Sequence, residues 1–110
     1  MNTEAGVSRC VLRKSDRAVL LRARPEQVQR LEGNWYFHPD TIDPARFEVS
    51  SRTYTCPKKG VCNWVDLKTD KSYINDVAWV YPSALPGFEH IAGWYGFYPE
   101  HNHYCVSECD

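Results

Sequence analysis

Seven prolines, with turn-forming Gly, Asn, Asp and Ser between them, break this chain into short runs, and that punctuation most constrains its fold. Proline lacks an N–H and clashes with the preceding turn, which leaves little room for long helices. Between the breaks lie four Trp, seven Tyr and four Phe together with β-branched residues, types that suit a half-buried pleated surface. The expectation is a mainly β protein of compact antiparallel sheets, with short helical turns confined to connections.

Taken in order, residues 7–13 and 17–22 flank the turn Lys14-Ser15-Asp16 and read as a hairpin. In the second run Leu20 and Leu21 fall on opposite faces, so both faces are expected to be partly covered. Pro25 through Leu31, closed by Gly33, carries the start and stop signals of a helix of one or two turns, short enough to be an ordered loop instead. Trp35-Tyr36-Phe37 is a compact aromatic strand, and residues 40–47 form a loop with one helical turn. Residues 51–55, 62–67, 72–75, 77–81 and 93–98 read as further strands, with a turn of helix near 88–92.

At 110 residues the chain makes one domain, with residues 1–6 and 99–110 expected as flexible or chain-specific ends. A net charge of -1 argues against a generic nucleic-acid binder, because phosphate neutralisation requires an excess of Lys and Arg. No apolar run is long enough to span a bilayer, and the polar start Met1-Asn2-Thr3-Glu4 lacks the layout of a secretion signal. A cytoplasmic protein with no membrane partner is expected.

Five cysteines stand at positions 10, 56, 62, 105 and 109. The odd count argues against a disulfide framework and for thiols, a metal site or a regulatory pair. Cys56 precedes Pro57, Lys58, Lys59 and Gly60 in a turn between two strands, where nearby ammonium groups lower a thiol's pKa. Cys56 is therefore the candidate nucleophile and Lys59 its activator; the plain alternative is a packed cysteine beside solvated lysines. Trp64, Trp79, Tyr81 and Trp94 are candidate walls of a cleft for a small molecule, with Arg52 or Lys59 supplying charge to an anionic ligand; the alternative is core packing. In the tail, His101, His103, Cys105 and Cys109 are four side chains of the kind zinc prefers, although the Cys-Cys spacing is wide for a zinc knuckle. A reduced tail, or a disulfide from Cys105 to Cys109 or from the tail to Cys56 or Cys62, are the other readings.

Cys56-Pro57, Lys59-Gly60, then Val77-Ala78-Trp79, Tyr81-Pro82, Ile91-Ala92-Gly93 and Phe97-Tyr98 follow one another as in the domain-of-unknown-function 427 family, which the chain resembles from about Val11 to Tyr98. The resemblance implies a β fold of the Mss4-like, or β-tent, kind, and a nucleotidyltransferase-like label is sometimes attached to the family. Where its members commonly place an aromatic residue this chain has Lys58, and where they often place His it has Thr55. The turn is more basic for it and lacks a base. Nucleotidyl transfer itself requires carboxylates that hold divalent cations; Asp66, Asp70 and Asp76 read instead as strand-end and turn residues, and no glycine-rich phosphate loop is present.

Two classes of function stand open, and the first is preferred, because the aromatic residues are spread over several strands and no conventional general base stands near Cys56 in sequence. One is a small-ligand binding module with an aromatic-lined cleft beside the Cys-Pro turn. The other is a thiol-dependent enzyme or redox protein in which Cys56 attacks and another cysteine resolves the intermediate.

Overall fold

A computed structural model describes residues 7–109 and contains two antiparallel sheets. Nine strands run in the order β1 (Arg9–Arg13), β2 (Val19–Ala23), β3 (Val28–Leu31), β4 (Asn34–Phe37), β5 (Phe47–Cys56), β6 (Gly60–Lys68), β7 (Tyr73–Val80), β8 (Tyr95–Phe97) and β9 (Tyr104–Glu108). The small sheet has the order β2-β1-β9 and the large one β3-β4-β8-β7-β6-β5. Among the described residues helical structure is limited to three short 3-10 turns, Pro25–Gln27, Pro39–Thr41 and Glu89–Ile91. No helix among the described residues is long and apolar enough to cross a membrane.

The two sheets enclose one core. Val11, Leu20, Leu21 and Ala23 from the small sheet meet Phe37, Phe47, Val65, Leu67, Ala78, Val80 and Phe97 from the large one. Phe97 is the centre, with Phe37, Phe47 and Tyr104 edge-on at 5.4, 5.5 and 5.6 Å, the geometry in which ring edges meet ring faces. Tyr104, buried here, donates its hydroxyl proton to the carbonyl of Val77 and accepts from the N–H of Tyr98 at 3.1 Å. One side chain thereby fastens β9 to the large sheet.

Period-two alternation sends the intervening residues of the large sheet to its other face. There Tyr36, Cys62, Trp79, Tyr81 and Ile91 form a second buried cluster beneath the connection between β7 and β8. Gly96 of β8 is the floor under Trp79: a Cβ at this position would lie 2.4 Å from the indole.

Three local expectations are corrected. The helix expected from Pro25 ends as a single 3-10 turn at Gln27, and Val28–Leu31 instead pairs with β4. The runs 72–75 and 77–81 are one strand, irregular at Asp76, whose φ of 61° places it in the left-handed region and whose N–H donates to Asp66 at 2.9 Å. The tail, expected as a flexible or chain-specific end, carries β9, paired along its length with β1. Residues 1–6 lie outside the described residues.

Candidate thiol site

The hairpin from β5 to β6 pairs Cys56 with Gly60 and leaves Pro57, Lys58 and Lys59 as its turn. Gly60 has φ +111°, a conformation that side chains rarely adopt, and the Leu85 side chain packs against it, 3.5 Å from where a Cβ would stand. Leu85 also donates its N–H to the carbonyl of Lys59 at 2.9 Å, so the following connection is docked onto the turn.

Across from it the two-residue turn of the β3–β4 hairpin holds Glu32 at φ 52° and Gly33 at φ 83°, the paired left-handed geometry favoured in tight hairpins. That turn presents Glu32 to Lys59. The two side chains form an ion pair, with Lys59 only 9% exposed. The same ammonium lies 3.8 Å from Cys56 Sγ and 5.5 Å from the centre of the Phe88 ring. A buried cation is thus fixed between a carboxylate, a sulfur and an aromatic face.

These contacts set the ionisation of the group. Burial pushes the Cys56 thiol up, yet the backbone N–H groups of Lys59 and Lys58 and the Lys59 charge outweigh it and bring the thiol below its ordinary value. Lys59 shows the reverse balance, burial lowering its pKa and Glu32 and Cys56 raising it further, so it is held protonated. Cys62, 2% exposed, is pushed up by burial. Tyr81 is pushed far above the usual phenol by burial and by the two sulfurs beside it, and stays a neutral donor.

An aromatic row runs from this point across the sheet. Trp79 donates its indole N–H to the Tyr36 hydroxyl at 3.1 Å and lies 6.0 Å from that ring, 4.8 Å from Tyr98 and 6.3 Å from Trp64. Tyr54, 54% exposed, continues it beside Trp64.

Among the residues expected to bind a ligand, Trp79 and Tyr81 are buried and form the floor of this face, whereas Trp64 and Trp94 are half-buried at its margins. Arg52 belongs to a different constellation: it donates to Asp66, which is 1% exposed, and to Asp76 at 3.0 Å. The Tyr73 hydroxyl sits between Glu48 and Asp66 at 2.8 and 3.0 Å, one proton serving two carboxylates. Asp66 and Asp76, read from sequence as scattered turn residues, therefore converge on Arg52, while Asp70 stays in the β6–β7 turn. A groove of about 950 Å³, lined by residues including Arg13, Arg46, Lys68 and Lys71, lies apart from all five expected ligand residues.

The tail set is corrected at Cys109, whose sulfur is bonded to Cys10 in a disulfide and is not the fourth ligand. His101 stacks flat on Tyr104 at 4.7 Å and accepts the His103 N–H on Nδ1, and Cys105 faces Leu12 across β9 and β1. Among the described residues no group of three or more His, Cys, Asp or Glu side chains is placed to hold a metal ion. His38 packs on Trp94 and His90 on Phe88. The residue that sequence reasoning missed is Glu32, for which the Glu-Gly pair of a two-residue hairpin turn was the available signal.

A family model described as a domain of unknown function, DUF427, matches residues 7–108, and its short label refers to nucleotidyl transfer. No functionally curated protein matches the chain.

Proposed function

The chain belongs to the DUF427 family, and we propose that it is a thiol-dependent enzyme in which Cys56 is the nucleophile toward a small electrophilic molecule. The observation that carries this reading is the buried Lys59 ammonium, locked by Glu32 at 3.8 Å from Cys56 Sγ. A cation in that position stabilises the thiolate, the nucleophilic form of cysteine, at neutral pH. The turn N–H groups add fixed positive dipoles at the same sulfur. Cys56 packs against the buried cluster that contains Trp79 and Tyr81, with the half-buried Trp64 and Phe88 at its edges. This reading takes precedence over a binding module with aromatic walls, because the best-placed aromatics are beneath the surface rather than around a cleft.

The test is competitive alkylation with a substoichiometric amount of iodoacetamide at neutral pH, mapped by peptide mass spectrometry. Cys56 should be modified at least several-fold faster than the half-buried Cys105. Equal rates would overturn the assignment.

A further inference from the structure

A second sulfur lies in the cluster against which Cys56 packs. Cys56 pairs with Gly60 and Tyr54 with Cys62, so the two cysteines occupy diagonal positions on one face of the hairpin, where side chains of neighbouring strands reach one another. Cys62 and Tyr81 belong to that buried cluster, and the three groups bear on one another's ionisation. Cys56 is partly open to solvent, whereas Cys62 and Tyr81 are 2% and 4% exposed behind it. Leu85, packed on Gly60, and Phe88, beside Lys59, crowd the turn, and a small substrate fits such a place better than a protein disulfide.

We propose that Cys56 and Cys62 form a dithiol couple that reduces small hydroperoxides, with Cys62 as the resolving residue. The inference rests on Cys56 being the nucleophile assigned above. The Cys56 thiolate attacks the terminal oxygen of the hydroperoxide; the S–O bond forms, the O–O bond breaks, and Cys56 becomes a sulfenic acid. The leaving alkoxide takes a proton from the Lys59 ammonium and departs as an alcohol, or as water when the substrate is hydrogen peroxide. Lys59 is then reprotonated from solvent. Cys62 next attacks the sulfenic sulfur: the S–S bond forms, the S–O bond breaks, and the hydroxide leaves as water with the Cys62 proton, relayed through the Tyr81 hydroxyl. Two thiols are oxidised as one peroxide bond is reduced, and an external thiol returns the disulfide to the dithiol by exchange. Diagonal Cα atoms are roughly 7–8 Å apart and a disulfide requires less than about 7 Å, so the turn moves slightly toward β6 as the bond closes.

The experiment treats the protein, its Cys10–Cys109 disulfide in place, with equimolar hydrogen peroxide. Dimedone and then iodoacetamide follow, and trypsin digestion is carried out without reduction. Cleavage after Lys58 and Lys59 separates the two cysteines, so the expected product is a disulfide-linked pair of peptides, one with Cys56 and one with Cys62. In Cys62→Ser, dimedone should trap roughly tenfold more sulfenic acid on Cys56, since nothing resolves it. Wild-type protein that keeps a dimedone adduct on Cys56 with Cys62 still free, or that leaves both thiols unoxidised, overturns the couple. The wild-type map needs no variant to fold. If Cys56 still outpaces Cys105 in alkylation without peroxide, only the couple fails; if it does not, the nucleophile assignment fails with it.

Discussion

Asp66 is a carboxylate almost wholly removed from water, and three donors keep it charged: the Arg52 guanidinium, the Asp76 N–H and the shared Tyr73 proton. Burial alone pushes its pKa up, but these donors together hold it below the usual carboxylate range. A group whose folded pKa is depressed stabilises the fold fully above its unfolded value, about pH 4, and loses that contribution as pH falls through the folded value. Asp66→Asn should therefore cost about 2 kcal/mol at neutral pH, the scale of a lost charge-assisted hydrogen bond. It should also flatten the acid limb of stability. Urea unfolding of both proteins at neutral and at acidic pH measures this, and equal midpoints at neutral pH would contradict it. The carboxylate types were legible in the sequence, but their convergence was not, because Arg52 lies in an irregularity between β5 and β6 and Asp76 in one between β6 and β7. Alternation along a strand cannot locate such departures.

At the scale of elements, the large sheet holds its second aromatic cluster because β8 is thin in the middle. Gly96, between Tyr95 and Phe97, pairs with both Tyr36 and Trp79 and leaves room for the indole to cross the strand. Gly96→Ala should destabilise by about 1–3 kcal/mol through overpacking, and a thermal melt that matches wild type would contradict that placement. The hairpin of β1 and β2 was legible, since its turn and its apolar runs are local. Pro25 misled for a physical reason: proline starts a 3-10 turn as well as an α-helix, and Val28–Leu31 is claimed by backbone pairing with β4. β9 was missed because Tyr104–Glu108 has no turn-linked partner nearby, and what makes it a strand is β1, at the far end of the chain.

Over the whole molecule, the disulfide from Cys10 to Cys109 spans a sequence separation of 99 and ties the first strand to the last. An odd cysteine count pointed to free thiols, and three remain free, Cys56, Cys62 and Cys105. The pairing of the other two depends on the β1–β9 register, which the linear sequence does not display. Closing so long a loop restricts the unfolded chain, and Cys109→Ser should lower stability by about 2–4 kcal/mol. Reductant should lower the unfolding midpoint of the wild type toward that of the variant; a wild-type midpoint indifferent to reductant would contradict the tether. The contact of Lys59 with Cys56, by contrast, was legible, because the two residues are near in sequence and the turn between them is local. What the sequence left out was the second hairpin that supplies Glu32 to hold Lys59 in place. The most direct test of that arrangement is titration of the Cys56 thiolate by its ultraviolet absorbance, in wild type and in Lys59→Met, with Cys56→Ser as the blank. A wild-type midpoint below that of an ordinary cysteine, raised in Lys59→Met, is the expected result, and a midpoint unmoved by the loss of the ammonium would contradict activation of Cys56 by Lys59.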